Sequence, residues 1–132
     1  MKDIIFDEFQ NSVEDSLLRH KSILDILSKY NESSSRVNRA IVKAVTNCGC
    51  IEIDAKKQCV PSYETTLLEY KDCLSNHLKG DLCENCREVI EQEMGNNLFY
   101  LTSLCNSLGV NLYDILLTEN NRIETLGNFT FR

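Results

Sequence analysis

His77-Leu78-Lys79-Gly80-Asp81-Leu82-Cys83-Glu84-Asn85-Cys86-Arg87-Glu88-Val89-Ile90-Glu91 is the stretch whose reading decides the fold. Gly80 reads as a helix stop, and Asp81 with Glu84 three residues later reads as a capping box that starts a new helix. Cys83 and Cys86 then fall in its first turn. Side chains at i and i+3 share a helix face, so the two sulfurs can grip one ion, and the helix N-terminus favours their thiolate form. Cys48-Gly49-Cys50 offers a second close pair on a tight turn.

Downstream, Ile90, Met94, Leu98, Leu101, Cys105 and Leu108 keep helical spacing until Gly109. Asn111-Leu112-Tyr113-Asp114 opens a fifth helix carrying Ile115, Leu116 and Ile123, with an irregular tail from Thr125. Upstream, Phe6, Phe9, Val13, Leu17, His20, Leu24 and Leu27 recur at spacings of three and four, which places helix one at about 4 to 29. The polar run Tyr30-Asn31-Glu32-Ser33-Ser34-Ser35 ends it and caps helix two, at about 35 to 46, with Val37, Ala40, Ile41, Ala44 and Val45 inward. Ile51-Glu52-Ile53-Asp54 alternates at period two, a short extended piece. Pro61 leads into helix three, capped by Ser62 and running to about Leu78 with Leu67, Tyr70, Leu74 and His77 or Leu78 inward. No set of strands suffices for a sheet. The expected fold is all-α: one domain over residues 1–132, a bundle of about five helices with a small zinc knuckle.

Composition agrees with that class. A chain of 132 residues, 42% hydrophobic and 26% charged, can bury a core and is neither disordered nor a repeat array. No window approaches the roughly 20 apolar residues of a membrane span. The acidic start Met1-Lys2-Asp3-Ile4-Ile5-Phe6-Asp7 lacks the pattern of a signal peptide, so a cytoplasmic protein is expected. A net charge of −6 excludes general binding to a nucleic-acid backbone. Only Arg36-Val37-Asn38-Arg39-Ala40-Ile41-Val42-Lys43 is locally basic, and it reads as a solvated helix face.

Seven cysteines, clustered and odd in number, point in a reducing compartment to metal ligation. Four thiolates suit tetrahedral zinc and exclude magnesium or calcium, so Cys48, Cys50, Cys83 and Cys86 form the expected Zn²⁺ site. The same spacing also fits thiols that cluster without a metal, or a redox dithiol at Cys83 and Cys86, although no βαβ setting accompanies them. His77 can replace a cysteine as fourth ligand, but its place in helix three fits a packed or capping histidine. His20 reads as a core histidine. Cys59, Cys73 and Cys105 have no partner at ligand spacing, and the last two read as small core residues. A closed four-thiolate shell leaves no position for water or substrate, so such a zinc is structural.

Glu84, Glu88, Glu91 and Glu93 make an acidic stripe on helix four. It is either a solvated face or, with acids from a facing helix, a Mg²⁺ site. Three segments then carry a resemblance: Glu91-Gln92-Glu93-Met94-Gly95-Asn96-Asn97-Leu98-Phe99-Tyr100-Leu101, Leu104-Cys105-Asn106-Ser107-Leu108-Gly109-Val110-Asn111-Leu112, and Asn121-Arg122-Ile123. Over about the last forty residues the chain resembles the final two helices of MazG-like nucleoside triphosphate pyrophosphohydrolases. The resemblance implies an all-α, oligomeric, Mg²⁺-dependent protein that cleaves nucleotides between the α and β phosphates with two pairs of acids on two helices. The second pair falls on Glu93 and Asn96, where asparagine replaces the family's aspartate and removes a charge from the metal. Glu69 and Asp72 are the nearest match for the first pair. Glu88 and Glu91 have the spacing but share helix four with Glu93. The paired cysteines are foreign to the family's pattern. Together these features imply a divergent zinc-binding module, nucleotide-binding or regulatory, with weak or no hydrolysis. The alternatives are an active pyrophosphohydrolase using Glu69, Asp72, Glu88, Glu91 and Glu93, and a thiol redox or zinc-sensing protein. Apolar stripes on long helices, with the resemblance, imply a homodimer.

Overall fold

The computed structural model describes residues 2–60 and 62–127. Within these the chain forms α1 (Lys2–Ser16), α2 (Ile23–Lys43), a π-helical turn (Ala44–Cys48), β1 (Ile51–Ile53), α3 (Leu67–Cys73), β2 (Leu78–Gly80), α4 (Glu84–Leu108) and α5 (Leu112–Leu126). Five helices and one small ribbon among the described residues make the fold all-α, as its apolar periodicity requires.

Ser22 starts the second helix; the serine run after Tyr30 does not. The Ser22 hydroxyl accepts from the Leu24 N–H at 3.3 Å, and the chain between Ser16 and Ile23 is not helical. The expected continuous helix from 4 to 29 is therefore broken. Val13 and Ile26 are both almost wholly buried. On one unbroken helix, at about 100° per residue, they would point about 140° apart, so the break is what lets both be buried. His20 lies in this break, half-buried, instead of on a core stripe, and Leu24 and Leu27 are exposed.

The polar run that was expected to end a helix instead lies in the middle of α2. Its hydroxyls bond back to their own helix: Ser33 Oγ and Ser34 Oγ donate to the Tyr30 carbonyl at 2.7 and 3.1 Å, and Ser35 Oγ donates to that of Asn31 at 3.3 Å. Glu32 is bridged to Lys29 and Arg36, which holds its carboxyl below the usual range, chiefly through the Lys29 hydrogen bond. The decisive partner is tertiary. Asn97 of α4 donates to both Ser33 Oγ and Ser34 Oγ at 3.0 Å, so the small residues allow close helix approach and the amide satisfies them. Removing this amide in Asn97→Ala is expected to cost about 1–2 kcal/mol in urea unfolding. A change within error would show the seam to be held by packing alone.

α2 runs toward the cysteine knuckle and α4 runs away from it, so the two form an antiparallel pair closed at that end. Beneath the knuckle Ala44, Ile51 and Ile90 make a buried cluster, covered by Ala40, Ile41, Val45, Cys50, Leu82 and Cys86. The inward face expected for the second helix is thus the one it uses. At the other end Gln10 of α1 clamps the α4–α5 turn. Its amide donates to the Val110 carbonyl and accepts from Leu112 N–H, both at 2.9 Å, while Asn106 donates to the Gln10 carbonyl at 3.0 Å.

The third helix is much shorter than expected. It begins at Thr66, whose hydroxyl accepts from Glu69 N–H while Glu69 accepts from Thr66 N–H, a full capping box; Ser62 only bonds within a turn to Thr65. Pro61 lies outside the described residues. Leu67 and Leu74 are exposed, so the helix has no core to extend against and ends at Cys73. Leu78 to Gly80, expected to finish it, form a strand pairing antiparallel with β1, Ile51 opposite Gly80 and Ile53 opposite Leu78. His77 turns the chain into that strand at φ 59°, and its carbonyl accepts from Asp54 N–H at 2.8 Å. Gly80 is a ribbon residue and no C-cap.

Candidate metal centre

Cys48 ends the π-helical turn, Gly49 follows in the left-handed region, and Cys50 leads into β1. A left-handed residue reverses the chain within one peptide, which brings both thiols of the pair to the same side. Across from them stands the start of α4, held in place by β2. The helix is not capped by the expected Asp81 and Glu84 box. Its N-cap is Cys83, whose sulfur accepts from Cys86 N–H at 3.4 Å. A thiolate is a better acceptor than a thiol, so the sulfur that could ligate a metal is also the cap.

The four sulfurs of Cys48, Cys50, Cys83 and Cys86 all lie within 4.8 Å of one another, and Cys48 Sγ and Cys83 Sγ are 3.7 Å apart. Zinc–sulfur bonds of about 2.3 Å in a tetrahedron require sulfur–sulfur edges of about 3.8 Å. The spacing fits such an ion, and all four cysteines are free thiols. The group could hold a metal, and its members are the four that the spacing in the chain picked out. His77 is not among them.

The local electrostatics distinguish the ligands. Cys83 is drawn down to about 7, first by the backbone N–H of Cys86 and then by the Cys86 thiol. Cys86 is pushed up to about 12, mainly because its proton is shared with Cys83, with partial burial adding to the effect. Cys83 is therefore partly ionised near neutral pH, while Cys86 stays protonated there unless a metal displaces its proton. Uptake of metal at pH 8 is expected to release protons, because the Cys48 and Cys86 thiols are both raised and must ionise to ligate, and acidification through pH 7 to 5 is expected to expel the ion as protons reclaim the sulfurs. Titration calorimetry in two buffers of different ionisation enthalpy reads the proton count, and a metal content unchanged at pH 5 would contradict it.

Two cysteines behave otherwise than expected. Cys59 and Cys73, read as unpaired and Cys73 as a core residue, form a disulfide, and Cys73 is exposed. Sequence alone could not pair them, because their meeting depends on α3 being short. The disulfide is seconded by Gln58, whose amide donates to the Ser75 carbonyl at 2.6 Å and accepts from Ser75 N–H at 3.0 Å. The excursion between β1 and β2 is thus tied across its middle, away from the four thiols. Closing a loop with a separation of 14 contributes about 3 kcal/mol to that excursion. The double substitution C59S/C73S is expected to raise proteolysis between Lys56 and Leu74 while metal content stays unchanged; loss of the metal would show the two features to be coupled. Cys105 is buried as expected, and burial raises its thiol pKa.

The carboxylates are scattered. Glu69 is engaged in the cap of α3, Asp72, Glu88 and Glu91 are exposed, and Glu93 is half-buried one turn before exposed Asn96. Glu93 lines a shallow groove with Val89 and, from α2, Arg36, Arg39 and Lys43. Among the described residues no three carboxylates converge to ligand distance. No described helix is long and apolar enough to cross a membrane.

No protein-family model, curated protein or solved structure matches the chain.

Proposed function

We propose that this protein is a zinc-stapled helical module that binds a ligand or partner and does not turn over substrate. The observation that carries the reading is the cluster of four free thiols whose sulfurs all lie within 4.8 Å of one another, with the Cys48–Cys83 separation of 3.7 Å close to the edge of a zinc tetrahedron. Cys48 and Cys50 hang from the end of α2, and Cys83 and Cys86 from the start of α4. One ion across them ties the closed end of the helix pair to the ribbon. All four protein ligands being sulfur, the ion's work is folding, since no open position is left for water or substrate.

The ligand class we propose is a nucleotide. It rests on the likeness of residues 91–123 to the MazG-like pyrophosphohydrolases. Asn96 at the aspartate position, the commitment of Glu69 to a helix cap and the scatter of the remaining acids favour binding over hydrolysis. Elemental analysis of purified protein is expected to give about one zinc per chain that survives dialysis. Zinc-free protein with four titratable thiols and full helicity would sink the staple. Calorimetry with nucleoside triphosphates and Mg²⁺ is expected to show binding without pyrophosphate release. Turnover abolished by Glu93→Gln would instead establish the enzyme.

A further inference from the structure

The excursion between β1 and β2 encloses a cavity of about 340 Å³. It lies at the end of the ribbon remote from the clustered thiols, where Asp54 N–H bonds the His77 carbonyl. Its wall holds the Cys59–Cys73 disulfide together with Lys56, Lys57 and Lys79. The volume falls at the small end of the roughly 300–1,000 Å³ of small-molecule sites, which suits a compact solute and not a protein loop. Cys73 is exposed and Cys59 half-buried, so the disulfide is open to attack at its Cys73 sulfur.

Charge is concentrated here against the trend of the chain. The protein carries a net charge of −6, yet three ammonium groups line a cavity to which Asp54 brings the one carboxylate. Asp54 gathers two of them: its Oδ2 is 2.5 Å from Lys79 Nζ and 3.4 Å from Lys56 Nζ. Lys57 has no ion-pair partner among the described residues. One carboxylate cannot neutralise three cations, so an excess of positive charge remains beside the disulfide. The Gln58 amide bonds the Ser75 carbonyl and N–H at 2.6 and 3.0 Å. That link involves no sulfur, so it holds the two sides of the cavity together whether the disulfide is open or closed.

We propose that this cavity is a docking site for an anionic low-molecular-weight thiol, one sulfhydryl with one or more carboxylates, which exchanges with the Cys59–Cys73 disulfide. Disulfides open by attack of a thiolate through a mixed disulfide, and each part of such a ligand has its counterpart on the wall: the sulfhydryl in the disulfide, the carboxylates in the lysines. The ligand thiolate attacks Cys73 Sγ. A new S–S bond forms there, the Cys59–Cys73 bond breaks, and Cys59 leaves as a thiolate. Lys56 and Lys57, just before Cys59 in the chain, stabilise that leaving group. A second ligand thiolate then attacks the ligand sulfur of the mixed disulfide and releases Cys73. Two molecules of the thiol are thereby oxidised to their own disulfide, Cys59 and Cys73 are reduced to a dithiol, and the two protons given up by the ligand pass to the two cysteines. The reverse path closes the tie again with the oxidised ligand. The excursion thus follows the redox state of that thiol, while the clustered cysteines take no part.

The test compares how fast the disulfide of the full-length protein is opened by mercaptosuccinate, an anionic thiol, and by cysteamine, a cationic one, at equal thiolate concentration. Opening is read as alkylation at Cys59 and Cys73 in tryptic peptides, which cleavage at Lys71 separates, so the other cysteines do not enter. The ratio of the two rates is expected to be about 10-fold higher in the wild type than in the triple variant Lys56→Gln, Lys57→Gln, Lys79→Gln at low salt. Taking the variant as reference cancels the intrinsic reactivities of the two thiols. Equal ratios in the two proteins would overturn the proposal. The salt dependence of the wild type alone decides if the variant misfolds. A chain of net charge −6 repels an anion unless local cations draw it in. The mercaptosuccinate rate is therefore expected to fall as salt rises to about 1 M, where charges are screened within a few ångströms, and a constant or rising rate would refute the docking site. Brief exposure and quenching are expected to leave the ligand on Cys73 and a free thiol at Cys59; the ligand on Cys59 would contradict the direction of attack.

Discussion

Cys83→Ser is expected to lose the metal and lower the melting temperature by about 10–20 °C, equivalent to about 3–5 kcal/mol for a chain of this size. The substitution is informative because serine is itself a good N-cap. Its hydroxyl can take over acceptance of the Cys86 N–H that the Cys83 sulfur now receives at 3.4 Å, so helix initiation is preserved. What disappears is a sulfur whose thiol is drawn down to about 7, and with it one of the four candidate ligands. Structural zinc sites carry apparent binding energies of about 10–16 kcal/mol, and that energy is folding energy where the site does not exist in the unfolded chain. A strong chelator should bring the wild type down to the melting temperature of Cys83→Ser and leave the variant unmoved. Equal melting and equal metal content in both proteins would mean that the four thiols stabilise nothing by coordination.

Gly80→Ala is expected to be nearly as damaging, through backbone alone. Gly80 sits opposite Ile51 in the ribbon at φ +85°, and a β-carbon there would stand 2.6 Å from the Cys50 carbonyl oxygen. Neither strand can give way without moving Cys50, and moving Cys50 spoils the sulfur cluster. The expected loss is about 3 kcal/mol or more, with weaker metal retention measured against a competing chelator. Gly49→Ala is the internal control. It has a similar φ of +77°, but nothing lies within 4 Å of the added carbon, so only the left-handed strain of about 1–2 kcal/mol remains. Equal losses for the two glycines would show that strain, and not the close approach of the two strands, sets the effect at Gly80.

The Cys59–Cys73 disulfide and the four free thiols make opposite demands on their surroundings. Coordination can reconcile them, since a metal-bound thiolate is protected from oxidation while an exposed pair is not. The chain divides its cysteines by place in the fold: four free thiols gathered at the root of the ribbon, a disulfide across the excursion, and Cys105 buried in the core.

The sequence by itself determined the all-α class and the membership of the thiol cluster. Both are written in short-range spacing: apolar residues every three or four positions, a two-residue and a three-residue cysteine step, and glycines at the turns. It could not determine where helices break. Ser33, Ser34 and Ser35 have the composition of a terminus, and only Asn97, sixty-odd residues away, makes them a helix interior. The break before Ser22 lets Val13 and Ile26, which would point about 140° apart on one helix, both be buried, a demand that no local window contains. The same holds for the third helix. Its apolar spacing was genuine, yet with no surface to bury against, Leu74 and Leu78 went to a loop and a strand, and Cys73 reached Cys59. Local pattern states what a segment can bury, and tertiary structure alone decides whether anything is there to bury it against.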